Sequence, residues 1–87
     1  MPDIIAQRVI SVIAATQGIL AENITRKSTP FSLGIDSLDA LTVIFNLEKE
    51  FGLRMRDESL FVSNIGEVAE WIEQNLSGAS SGVEANV

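Results

Sequence analysis

The residues best suited to chemistry lie in one short run, Asp36-Ser37-Leu38-Asp39. A serine hydroxyl stands here with a carboxylate on either side, after a loop that Gly34 allows to bend. Asp36 is placed to cap a helix, its carboxylate accepting from the unpaired backbone N–H of Leu38 or Asp39. Asp39 then occupies the third helical position, from which a short carboxylate can reach back as in a capping box. The dipeptide alone reads as an ordinary helix start. The longer stretch, Leu33 to Phe51, reads as a loop that delivers Ser37 to the first turn of an amphipathic helix, which makes this serine the candidate working residue.

What the chain lacks narrows the chemistry further. It has no cysteine, histidine or tyrosine. That removes a thiolate nucleophile, a disulfide framework and Cys-type zinc sites, and also the commonest general base and transition-metal ligand. A small hydrolase built on Ser37 fails for the same reason, because neither Asp36 nor Asp39 is a convincing activator of a serine hydroxyl. The reading is therefore not an enzyme, with no catalytic residue and no metal. Twelve acids against six bases give a net charge of −6, the wrong balance for a nucleic-acid binder and one that steers basic protein partners instead. Eighty-seven residues allow one domain, and a 46% hydrophobic content is too high for global disorder.

Gly34-Ile35-Asp36-Ser37-Leu38, preceded by Leu33 and followed by Asp39 and a run ending Leu47-Glu48-Lys49-Glu50-Phe51-Gly52, resembles the acyl carrier protein family over roughly residues 3 to 76. The resemblance implies that Ser37 is esterified to 4′-phosphopantetheine from coenzyme A by a holo-acyl-carrier-protein synthase, and that this enzyme reads Asp36. A phosphodiester beside the exposed N–H groups of a helix start sits in a favourable field, although Asp36 and Asp39 oppose it. With no reactive side chain in the protein, a pantetheine thiol would supply the reactive atom. The resemblance further implies docking of partner enzymes on Leu38, Asp39, Phe45 and Glu48. The sequence also departs from the family. Thr42 and Lys49 stand where acids are usual, Ser32 replaces a loop acid, Arg54 and Arg56 follow the helix, and Phe31 lies closer to Leu33 than is typical. This points to a specialised member with a dedicated ketosynthase or acyltransferase.

The elements that must hold this serine follow from periodicity. Residues 3 to 17 predict a first helix with Asp3 as N-cap, Ile5, Val9, Val12, Ile13 and Thr16 on its main stripe, and Ile4, Ile10 and Ala14 widening it. From Ile19 to Asp36 the pattern breaks into a long loop, with Leu20, Ile24, Phe31, Leu33 and Ile35 spaced to pin it to the core. The adjacent Arg26 and Lys27 read as solvated. The second helix is expected from Ser37 to Phe51, stopping near Gly52, with Ala40, Ile44, Leu47 and Phe51 inward and Leu41 and Val43 broadening the stripe. Residues 57 to 62 suggest a short third helix, covering the core with Leu60, Phe61 and Val62. Asn64 and Glu67 form a capping-box start for a last helix carrying Ile65, Val68, Ala69, Ile72 and Leu76 inward, Trp71 at the edge, and Glu67, Glu70 and Glu73 in solvent.

The expected architecture is all-α: a small bundle of three main helices plus one short helix, a carrier domain of residues 1–76 and a flexible tail of 77–87. By resemblance, an acyl chain would enter among Leu41, Val43, Ile44, Leu47, Phe61, Val62, Ala69 and Ile72. The functional expectation is a non-catalytic, monomeric, cytoplasmic acyl carrier for fatty-acid, lipid or polyketide enzymes, among them ketosynthases, acyltransferases and acyl-activating enzymes. No targeting signal or membrane-inserted segment is expected. Two alternatives stay open: a stand-alone peptidyl or aminoacyl carrier using the same serine, and a cofactor-free helical interaction module in which Asp36 and Ser37 only cap a helix.

Overall fold

A computed structural model describes the backbone of residues 4–55 and 58–86 and the side chains of 4–55 and 59–76. The expectations for Asp3, Arg56 and Asp57 lie outside the described residues. The described residues form three helices, α1 (Ile4–Gln17), α2 (Ser37–Phe51) and α3 (Ile65–Asn86), with single 3₁₀ turns at Ala21–Asn23 and Glu58–Phe61. No strand occurs among the described residues, and none of their helices is long and apolar enough to cross a membrane. The fold class is the all-α bundle expected.

α1 packs against both α2 and α3. The core is built from the inward stripes: Ala6, Val9 and Ile13 from α1, Ala40, Val43, Ile44, Leu47 and Phe51 from α2, and Ile65, Val68, Ala69 and Ile72 from α3. Val9, Leu47, Met55 and Ile72 are the most deeply buried large side chains, each stabilising the fold by about 1.5–3 kcal/mol of transfer free energy. Ala6 and Met55 belong to this core although their neighbours in sequence do not announce it. At the surface, Arg8 Nε and Nη2 donate to Glu50 Oε2 at 3.0 and 2.6 Å, and the guanidinium lies 4.6 Å from the centre of the Phe51 ring. The exposed pair contributes at most about 1 kcal/mol. Deeper in the same α1–α2 seam, Asn46 Nδ2 donates to Thr16 Oγ1 at 3.0 Å.

The long loop is held by backbone as much as by side chains. The N–H groups of Ile65 and Gly66, unpaired within their own helix, donate to the carbonyls of Ser28 and Arg26 at 3.0 and 2.9 Å. The loop thereby caps the start of α3. Asn64 and Glu67 complete that start with a reciprocal box, Asn64 N–H to Glu67 Oε1 at 2.9 Å and Glu67 N–H to Asn64 Oδ1 at 2.8 Å, as the sequence predicts.

Several placements differ from expectation. Ile24, Leu33 and Ile35 pack on the core, but Leu20 and Phe31 do not, and Phe31 is 93% exposed. Phe31 takes part in its turn only through its carbonyl, which accepts from Gly34 N–H, and its side chain points outward. Val62, 77% exposed, falls just beyond the 3₁₀ turn that buries Leu60 and half-buries Phe61. The expected short helix takes the form of this single 3₁₀ turn, because so brief a segment cannot nucleate an α-helix of its own. On α2, Leu41 is exposed, since roughly 100° per residue carries it well off the centre of the Ala40-Ile44-Leu47 face. The last helix, expected to end at Leu76, continues instead to Asn86. No proline follows Leu76 to stop it, and the glycines at 78 and 82 cost a helix only about 1 kcal/mol each.

Candidate functional site

The site begins with a capped turn ahead of α2. Thr29 and Ser32 cap each other, Thr29 N–H donating to Ser32 Oγ at 2.8 Å and Ser32 N–H to Thr29 Oγ1 at 3.1 Å. Pro30 follows at the first position of the turn, where its missing N–H costs nothing. The turn ends at Gly34 in the left-handed region, φ 74°, with Ile35 N–H bonded to Pro30 O at 2.8 Å and Gly34 N–H to Phe31 O at 3.1 Å. These are the two bonds of a Schellman motif. Ser32, noted in the sequence for replacing an acid, does the work of a capping-box acid. Ile35 is then buried and pins the chain just before Asp36.

Asp36 caps α2 as expected: its Oδ1 accepts from Asp39 N–H at 2.9 Å. The Asp39 carboxylate makes no return bond among the described residues, so the box is one-sided and that carboxylate stays in solvent. Ser37 is the first residue of α2, exposed, and its hydroxyl forms no hydrogen bond among the described residues. The helix around it therefore has its cap from Asp36, and Ser37 Oγ is left over for something else.

Beneath this turn lies an apolar cavity of about 40 Å³, room for roughly three water-sized groups. Ile35 and Ala40, which bracket the Asp36–Asp39 turn, both line it, as do Val43, Ile44, Leu47 and Phe61 from the sequence-predicted set. Ala69 and Ile72 of that set are buried in the core but are not among the lining residues; Leu41 and Val62 are exposed and do not line it either. Besides Ile35 and Ala40, sequence reasoning missed Val9, Ile13, Pro30, Leu33, Leu60, Ser63, Ile65 and Val68 as lining residues. The periodic apolar positions of α1 and α3 were legible; which of them face a gap is set by how the helices cross.

Of the predicted docking residues, Leu38 is 74% and Phe45 47% exposed, and Asp39 is in solvent beside them. Glu48 differs: one carboxylate oxygen accepts from Met55 N–H at 2.8 Å, tying the end of α2 to the loop that follows. Among the described residues no group of three or more acids converges as a metal site.

Ser37 suits a covalent phosphoester. It is exposed, uncommitted and placed at a helix start whose remaining N–H groups favour an anion. Comparison with known proteins agrees. A family model described as "Phosphopantetheine attachment site" matches residues 7–72. The chain is 36% identical over 77 residues to an acyl carrier protein of Rickettsia bellii, covering 86% of this chain and 90% of that one. It is 32% identical over 75 residues to one of Porphyromonas gingivalis, covering 83% and 95%, and 31% identical over 74 residues to one of Thermotoga maritima, covering 83% and 91%. An exposed serine at the head of an all-α bundle, a phosphopantetheine-attachment match across most of the chain and near full-length relatives together place this chain in the acyl carrier protein family, whose members are non-catalytic carriers of acyl groups on covalent 4′-phosphopantetheine.

Proposed function

We propose that Ser37 is the attachment point and that the chain carries acyl intermediates between biosynthetic enzymes. The observation that supports this is the free, exposed hydroxyl at the first position of α2, next to a cap that does not need it. A phosphopantetheinyl transferase would join Ser37 Oγ to the phosphopantetheine phosphorus. The hydroxyl proton is lost and the nucleotide part of coenzyme A leaves. Once bound, the group supplies a terminal thiol that holds acyl chains as thioesters. The protein's own share is positioning: Asp36 fixes the turn and is the residue the transferase reads, and Leu38, Asp39 and Phe45 form the face met by ketosynthases, acyltransferases or acyl-activating enzymes. Glu48 shapes that face from its inner edge through the Met55 N–H. The cavity lined by Val43, Ile44, Leu47 and Phe61 is the proposed seat for the acyl chain.

In this reading the carrier domain is residues 1–76, the protein works as a cytoplasmic monomer, and it serves a dedicated enzyme set. The test is direct. The protein is incubated with coenzyme A and a promiscuous phosphopantetheinyl transferase, and its intact mass is taken. Wild type is expected to gain one phosphopantetheine and Ser37→Ala none; a Ser37→Ala variant that gains it as well would refute the assignment.

A further inference from the structure

The exposed side of α2 changes charge along its length, and the change is produced by how its acids are used. Near Ser37, Asp36 and Asp39 are exposed. In the middle, Leu38, Leu41 and Phe45 are exposed apolar side chains. At the far end stand two acids flanking one base, Glu48-Lys49-Glu50. Both acids are committed within the molecule: Glu48 accepts from the Met55 N–H and Glu50 pairs with Arg8. Lys49 is exposed, and no acidic side chain among the described residues pairs with it. Steps of roughly 100° put Lys49 on the same line as Leu38, Thr42 and Phe45, about 18 Å along the helix from Ser37.

Resting on the carrier reading above, we infer that Lys49 selects the partner: a protein with basic groups opposite Asp36 and Asp39, an apolar slot for Leu38 and Phe45, and an acidic side chain opposite Lys49. A partner basic along its whole docking surface meets repulsion at that end, and in a water-poor contact like charges discriminate more than the apolar contacts they flank. Lys49 also lies in the last turn of α2, where a cation complements the helix dipole. That role alone would affect stability and leave partner choice untouched.

Wild type, Lys49→Gln and Lys49→Glu are each loaded on Ser37 to completion, as judged by intact mass. They are then offered to a malonyl-transferring acyltransferase of general fatty-acid synthesis whose carrier-facing surface is lined by lysine and arginine throughout. The expected kcat/KM rises in the order Lys, Gln, Glu, by about fivefold overall for one removed repulsion and one added attraction. The difference should shrink at ~0.5 M salt. Equal kcat/KM for the three proteins, with or without a change in melting temperature, would overturn the inference. Failure of wild type to load at all would instead refute the assignment of Ser37.

Discussion

At the scale of single residues, the division of tasks between neighbours is what makes the site usable. Asp36 holds the first turn through the Asp39 N–H, so Ser37 does not have to. Capping and the enzyme recognition proposed for this carboxylate are separable by substitution. Asp36→Ala should lower stability by about 1 kcal/mol, the usual worth of an N-cap, while Asp36→Asn should cost little because asparagine caps nearly as well. If the transferase reads the charge, Asp36→Asn should nevertheless load several times more slowly than wild type under equal enzyme. Chemical denaturation and loading rates measured on the two variants separate the effects; an Asp36→Asn protein that loads at the wild-type rate would leave Asp36 a structural residue only. The cap was legible in the sequence because it needs only residues three apart. The commitment of Glu48 to Met55 N–H was not, since it depends on how the chain turns after Gly52.

At the scale of elements, the long connection between α1 and α2 is an ordered piece of the scaffold. Its carbonyls at Arg26 and Ser28 take the first N–H groups of α3, and its Thr29–Gly34 turn is capped at both ends before α2 begins. The start of α3 thus has two supports, the loop and the Asn64–Glu67 box. Asn64→Ala removes one side-chain acceptor and should cost about 1 kcal/mol. Because the loop leans on the same turn, amide hydrogen exchange should quicken at Ile65 and Gly66 as well as at Glu67. Quickening confined to Glu67 would mean that the loop and the box act independently. The box was readable from spacing; the loop's docking was not, because backbone carbonyls carry no sequence signature. The misplaced pins, Leu20 and Phe31, show the same limit from the other side. An apolar residue in a loop has no period to fix its direction, whereas Leu38 and Phe45 were correctly placed off the core by helix geometry.

At the scale of the whole molecule, the bundle combines a tightly packed centre with a small gap under the functional turn. Leu47, 1% exposed, belongs to both. Leu47→Ala should cost about 2–5 kcal/mol, a large share of the about 5–15 kcal/mol that holds a small domain together. Urea unfolding would show it as a lower midpoint, and a loss under 1 kcal/mol would mean that the core around the cavity closes in to compensate. The main helices, their inward stripes apart from Leu41, and the serine's exposure were inferable from local pattern; the cavity was not, because it is what remains after three helices have crossed. The account as a whole rests on one atom, Ser37 Oγ. Tandem mass spectrometry of the loaded protein tests it most directly by locating the added group along the chain. The account predicts a single phosphopantetheine on Ser37, and a group found on any other side chain, or none found under conditions that load other acyl carriers, would contradict it.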